Sequence, residues 1–261
     1  MRIFDSHAHY DDEAFENDRV ELLGKILPEK GVWRVVNCGA SLEGSERSLQ
    51  LSREYPYIYA AVGVHPEEAA GLPPDWLDRI RQMAAGEKVV AIGEIGLDYH
   101  YEDACPREEQ KRVFEEQLRL ANELCLPVIV HDREAHGDTM ELLRRYRPRG
   151  VVHCFSGSAE MAREVVALGM YIGLGGVVTF KNARHSVETA ASIPIERLLT
   201  ETDAPYMAPV PLRGKRNDSS LIPFSATKIG LCRGLSCEEV LEWGCRNACT
   251  LFGLPFEETS P

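Results

Sequence analysis

Short apolar runs bounded by turn residues recur along the chain, and each gives way to a stretch whose apolar positions repeat at helical spacing. The runs predict strands at Arg2–Asp5, Val32–Asn37, Ile58–Val64, Val89–Gly93, Val128–Val130, Val151–His153, Tyr171–Leu174 and Leu198–Thr200. Helical periodicity predicts helices at Ala14–Leu27, Leu42–Glu54, Pro74–Ala85, Arg107–Leu124, Thr139–Tyr146, Glu160–Leu168 and Arg184–Ser192, with two more beyond Pro223. Strand and helix alternate throughout, and eight such pairs in about 250 residues match an α/β (β/α)8 TIM barrel better than an open doubly wound sheet. Periodicity alone does not separate a short buried strand from a buried helical segment, so the open sheet stays as the second architecture. No linker or low-complexity segment divides the chain, and residues 1–261 are expected to form a single barrel domain.

Composition narrows the class further. Hydrophobic residues make up 44% and charged residues 27% of the chain, values of an ordinary folded globular protein. The longest uncharged stretch, Val165–Phe180, is broken by four glycines and is too short to span a bilayer. Asp5, His7 and His9 interrupt the N-terminus where a secretion signal needs a continuous apolar core, so a cytoplasmic protein is expected. Without an oxidising compartment the eight cysteines should stay reduced. The C-terminal cluster Cys232, Cys237, Cys245 and Cys249 contains no C-x-x-C pair and is read as buried thiols rather than a metal site. Lys and Arg number 29 against 41 Asp and Glu, a formal net charge of −12. A general polyanion-binding surface is therefore excluded, and a phosphodiester substrate would need metal ions or a local basic patch to hold it.

The unusual polar residues sit at the C-terminal ends of the predicted strands, where barrel enzymes carry their active sites. In an extended strand His7 and His9 project to one side, so both imidazoles can face one ion. His131 and His153 lie on neighbouring strands and could reach a second ion, with Glu94 between the two. A donor set of His, Asp and Glu without thiolate suits zinc, manganese or magnesium. Asp203, at the end of the last strand, can ligate the first ion and accept a proton from an attacking water. The loop carrying Arg213, Lys215 and Arg216 places three positive charges in an acidic protein, and in a barrel this loop commonly helps hold phosphate. Ordinary readings of single residues, such as a core histidine, a turn aspartate or a solvated loop, lose weight because so many strand ends supply donors together.

In order along the chain stand Phe4-Asp5-Ser6-His7-Ala8-His9, Gly63-Val64-His65-Pro66, Ile92-Gly93-Glu94-Ile95-Gly96-Leu97-Asp98-Tyr99, Leu126-Pro127-Val128-Ile129-Val130-His131, His153-Cys154-Phe155-Ser156-Gly157 and Glu201-Thr202-Asp203-Ala204-Pro205-Tyr206. Over nearly the full length this set resembles the TatD-like metal-dependent deoxyribonucleases of the amidohydrolase superfamily. The resemblance implies a barrel with two divalent metal ions, His7, His9 and Asp203 on one, His131 and His153 on the other, and Glu94 bridging. It implies phosphodiester hydrolysis by a bridging water, typically as a 3′-to-5′ exonuclease on single-stranded DNA, and it makes His65 an additional active-site histidine near the scissile phosphate. DNA ends are the expected substrate, with RNA as a further candidate, and no obligate protein partner is implied.

Departures from the family pattern fall on the substrate side. Asp132 and Glu134 stand where Ser and Asp are more usual after His131, His100 follows Tyr99, and Asn217-Asp218-Ser219-Ser220 replaces Asn-Glu-Pro and an aromatic. Hydrolysis of an ester or amide, such as a D-aminoacyl ester on tRNA, is therefore the alternative activity. Superfamily amidases frequently bridge their metals with a modified lysine, and Glu94 at the matching position favours a phosphodiester over a small cyclic amide. A non-enzymatic interaction module would not need six ligands, His65 and a basic loop.

Overall fold

A computed structural model of the chain describes residues 2–101 and 105–256. Its eight strands are β1 Ile3–Ala8, β2 Val32–Cys38, β3 Ile58–Val62, β4 Val89–Asp98, β5 Val128–Arg133, β6 Gly150–Val152, β7 Tyr171–Leu174 and β8 Leu198–Thr200, hydrogen-bonded in that order in one sheet. Every ladder between neighbours is parallel. Helices fill the connections: α1 over residues 19–29, α2 Leu42–Glu54, α3 Trp76–Ala84, α4 Arg107–Leu124, α5 His136–Tyr146, α6 Ala159–Ala167 and α7 Arg184–Ser192, then α8 Ile222–Arg233 and α9 Cys237–Phe252 after the last strand. The alternating pattern thus resolves as the TIM barrel rather than the open sheet.

Burial explains why the strands read as continuous apolar runs. A parallel sheet covered by helices has no solvated face, and all ten residues of β4 are buried. Phe4, Val36, Ala61, Ala91, Ile129, Val151, Tyr171 and Leu199 supply one residue from each strand to a single apolar cluster. Side chains from eight successive parallel strands meet in this way only in the barrel lumen, so this layer fills it. The same cluster includes Cys245, Cys249 and Phe252 of α9, whose ring stacks on Phe4 at 6.1 Å, and α9 therefore closes the N-terminal end. Cys245 and Cys249 are buried, and Cys232 and Cys237 are partly buried.

Four strands run further than their apolar runs suggested, β2 by the one residue Cys38. β1 continues to Ala8, β4 to Asp98 and β5 to Arg133, because the polar residues at these ends are buried or half-buried and keep the ladder geometry. β3 and β6 stop short, at Val62 and Val152. The predicted helix Ala14–Leu27 becomes a 3₁₀ turn at Glu13–Phe15 followed by α1, whose central turn, Leu22–Ile26, is π-helical. Residues 16–18 separate the two segments, and the carboxylate of Asp18 is taken up by Arg216 instead of capping the helix it precedes.

β8 and β1 share only the isolated parallel bridge Ala8–Ala204 among the described residues, so their seam is closed largely by side chains. Asp5 is the centre of that closure. Its Oδ1 accepts from the Thr202 amide at 3.0 Å and the His7 amide at 3.2 Å. Its Oδ2 accepts from the hydroxyls of Thr202 at 2.5 Å and Ser219 at 2.6 Å. Backbone bonds from Asp203 to the His7 carbonyl (3.0 Å) and from His9 to the Ala204 carbonyl (2.7 Å) lie just above it. Burial pushes the Asp5 carboxyl up to about 6 in spite of its four donors. Removing the carboxylate would strand several buried donors at about 1–3 kcal/mol each. Asp5→Ala is expected to lose at least about 3 kcal/mol, seen as a lower urea midpoint with the slope unchanged.

Candidate metal centre

The mouth of the barrel is a cavity of about 1150 Å³ into which β1, β4, β5, β6 and β8 deliver their terminal polar residues. His7 and His9, on one side of β1 as the period of two requires, bring their Nε2 atoms within 2.9 Å of each other. His9 is held from behind by the Cys38 carbonyl, 2.8 Å from Nδ1. Glu94 enters from β4 at a bulge, where the β4–β5 register shifts between Ile92 and Ile95. Such bulges re-aim side chains beside functional sites. Gly96 makes the extended β4 end possible: its φ is +149°, and a Cβ there would lie 2.0 Å from the His131 carbonyl.

Glu94 faces two groups of donors with its two oxygens. Oε2 lies 3.3 Å from Nε2 of both His7 and His9, and Asp203 Oδ1 lies 3.5 Å from each of the same nitrogens. These distances, with the 2.9 Å between the histidines, are five of the six edges of a four-atom cage. A tetrahedral ion with ligands about 2.0–2.1 Å away requires edges of about 3.3–3.4 Å, so the cage fits a divalent metal. Oε1 lies 2.8 Å from His131 Nδ1 and 2.6 Å from His153 Nε2, with 3.4 Å between the two nitrogens. The six residues singled out in the sequence are therefore brought together, and the donor atoms close enough to share one ion also include His7 with His153 and Asp203, and His65 with Glu94 and His131.

The supporting residues were not assigned from the sequence. Asp98 Oδ2 lies 2.9 Å from His131 Nε2 and so leaves Nδ1 for the centre. Its position four residues after Glu94 on the same strand, one face by the period of two, is the signal that could have found it. Glu201 is buried behind His153, with Oε1 3.9 Å from its Nδ1 and accepting from the Cys154 amide. Burial pushes the Glu201 carboxyl up to about 8. Ser219, in the departing Asn217-Asp218-Ser219 segment, is spent on Asp5 and Tyr10, and Asn217 caps the Thr202 and Tyr206 carbonyls. Of the other departures, Glu134 and His100 pair with each other at 2.6 Å, and Asp132 holds His136 at 2.7 Å.

His65 stands at the edge of the same cavity, its ring edge-on to His131 at 4.4 Å and its Nε2 3.7 Å from Glu94 Oε1. Its Nδ1 accepts from the Glu67 amide, which puts the ring proton on Nε2, facing the cavity. Burial and the neighbouring His131 push it down to about 3, so it is a neutral donor at working pH. The basic loop lies farther out. Arg213 packs on the Phe180 ring at 4.4 Å, Arg216 is paired with Asp18 at 2.5 Å, and Lys215 lines a shallow groove beside the main cavity. Arg47, 3.5 Å from Glu43, and Arg133 line the cavity itself, together with the acidic residues Asp11, Asp12, Glu13 and Glu16.

Without metal the cluster balances its own charge. Burial opposes ionisation of Glu94 and Asp203, but the surrounding histidines hold both carboxyls below their ordinary value. Burial likewise opposes a charged His131, yet Asp98 and Glu94 raise it to about 10. A metal at Nδ1 must displace that proton, and His9, also raised, carries another. Because both pKa values are raised, that of His131 up to about 10, the protons are present at neutral pH and become easier to displace as pH increases. Mn²⁺ affinity is accordingly expected to climb from pH 6 to 9 by up to about tenfold per unit for each proton released. Asp98→Ala should weaken binding at pH 9 about 10–100-fold, measured by calorimetric titration of metal-stripped protein.

Comparison with known proteins agrees with this geometry. Residues 4–253 match the family model for TatD related DNase. The uncharacterized metal-dependent hydrolase YabD of Bacillus subtilis is 42% identical, over 96% of this chain and 98% of its own. The 3′-5′ ssDNA/RNA exonuclease TatD of Cronobacter sakazakii is 37% identical over 89% of this chain and 90% of its own. Among solved structures, the TatD homologue YJJV from Escherichia coli K12 superposes with a TM-score of 0.90 at 34% identity, covering 97% of this chain and 99% of that one. An amidohydrolase from Saccharomyces cerevisiae, at 19% identity, shares the fold with a TM-score of 0.84. The chain is a metal-dependent hydrolase and belongs to the TatD-related DNase family.

Proposed function

We propose that the protein is a two-metal phosphodiesterase that removes nucleotides from the 3′ ends of single-stranded DNA. The observation that carries this reading is the carboxylate of Glu94, whose two oxygens serve two adjacent donor groups. His7, His9 and Asp203 would hold one ion, His131 and His153 the other, with Glu94 between them. Paired Mg²⁺, Mn²⁺ or Zn²⁺ ions supply an activated water and stabilise both the attacking and leaving oxygens of an in-line displacement.

The chain's own groups supply the rest. Asp203, kept ionised by its histidine neighbours, is suited to accept the proton of the attacking water on the carboxylate oxygen that is not part of the cage. His65 presents an N–H for a non-bridging phosphate oxygen. Arg47 and Arg133 offer forked donors to the cavity. Arg213 and Lys215 lie outside the reaction centre, where they would meet a longer strand rather than the scissile phosphate, and Arg216 is engaged by Asp18. The exonuclease name of the Cronobacter relative supports this choice of bond. No helix among the described residues is long and apolar enough to cross a membrane.

One observation favours a second reading. The acidic wall of Asp11, Asp12, Glu13 and Glu16 would suit the ammonium of a D-aminoacyl ester on tRNA, cleaved by the same centre. Release of 5′-mononucleotides from labelled single-stranded DNA, with each metal added to stripped protein, separates the two. Asp203→Ala is expected to lower the rate roughly 10²–10⁴-fold, and Glu94→Ala at least as far. No release with any metal, alongside hydrolysis of a D-aminoacyl ester, would replace the nuclease reading.

A further inference from the structure

We propose that the ring of Tyr206 is a stacking platform for a nucleobase beside the scissile phosphate, so that the mouth grips single-stranded polynucleotide by its base as well as its phosphates. This rests on the nuclease reading and names how its substrate is held. Tyr206 follows Asp203 by three residues, and its amide donates to the Asp203 carbonyl at 2.8 Å, which ties the ring to a residue of the metal centre. Its hydroxyl donates to Asp12 Oδ2 at 2.7 Å, and its carbonyl accepts from Asn217 Nδ2 at 2.8 Å. Two hydrogen bonds thus fix the backbone of Tyr206 and one fixes its ring by the hydroxyl, and the residue remains 53% exposed. By contrast Tyr10, on the same side of the barrel, is fully buried. A large ring fixed in place and left in water has its stacking face already ordered, which lowers the entropy cost of receiving a partner.

The surroundings select what that partner is. Tyr206 lines both the central cavity and an adjoining groove of about 660 Å³. Asp12, Glu13, Glu16 and Lys215 line that groove with the ring, while the charge of Arg216 is engaged by Asp18. Three carboxylates against the one ammonium of Lys215 leave this lining unfavourable to phosphate, whereas Arg47 and Arg133 line the central cavity. A neutral flat group with hydrogen-bond donors on its edge fits instead, and the exocyclic amino groups of adenine, cytosine and guanine meet that description. Stacking tolerates every base, since each has a π-face.

The test compares fluorescein-labelled, phosphorothioate-protected single-stranded oligonucleotides that carry a base or an abasic sugar at the last or the penultimate position. Binding by anisotropy in Mg²⁺ is followed for the full chain, Tyr206→Phe and Tyr206→Leu, and cleavage is followed on the unprotected oligonucleotides. The full chain should bind a base at one of these positions about tenfold more tightly than the abasic sugar. Tyr206→Phe should keep that ratio and Tyr206→Leu should bring it within about twofold. Equal ratios for the full chain and Tyr206→Leu overturn the platform, as does no preference in the full chain. Loss of the ratio in Tyr206→Phe as fully as in Tyr206→Leu also overturns it, by assigning the effect to the hydroxyl. Tyr206-dependent base preference without cleavage by any metal would leave the platform standing and remove the nuclease reading. Cleavage without base preference would do the reverse.

Discussion

The buried carboxylate of Glu94 is the constraint on which the mouth of this barrel depends. A lone ionised carboxylate is costly to bury, and here it is held charged by histidines arriving from β1, β5 and the end of β6. Each of those histidines reaches it only because its strand has the right register. Closing the barrel between β8 and β1 is part of the same requirement, since it brings Asp203 against His7 and His9. Asp5 performs that closure with four hydrogen bonds in a place where a regular ladder is missing among the described residues. Fold and site are therefore coupled through neighbouring residues of one strand, Asp5 for the seam and His7 with His9 for the centre.

The alternation of apolar runs and helical periods made the barrel legible, because parallel strands covered by helices are apolar throughout. The strand-end motifs made the six donors legible for a related reason: a barrel gathers its C-terminal strand ends, so distant residues such as His7 and Asp203 become neighbours once the topology is known. What escaped the reading was finer. Hydropathy ends a strand at its first polar residue, so the extensions of β1, β4 and β5 were invisible, and with them the support of His131 by Asp98. The placement of Arg213 on Phe180 and of Arg216 against Asp18 depends on tertiary contacts that charge spacing does not encode. Ser219 replaces a proline of the family pattern, and its hydroxyl serves the seam through Asp5, a use that a motif comparison records only as a mismatch.

The proposed action of an acidic protein on a polyanion is consistent once the charges are located. The acids Asp11, Asp12, Glu13 and Glu16 follow β1, the guanidinium groups of Arg47 and Arg133 follow β2 and β5 with Glu43 and Asp98 beside them, and the donor groups of the centre would recruit cations. The site is thus polarised rather than uniformly repulsive. Local geometry at the mouth, and not the net charge of −12, sets what can approach Glu94 and in which orientation.

The central claim is that Glu94 joins two metal centres, and the most direct test is an anomalous-diffraction crystal structure of the protein loaded with Mn²⁺. The account predicts two anomalous peaks about 3.5–4 Å apart, one within bonding distance of Glu94 Oε2, His7, His9 and Asp203, the other of Glu94 Oε1, His131 and His153. A single peak with both Glu94 oxygens on one ion, or a second ion that does not touch Glu94, would contradict it.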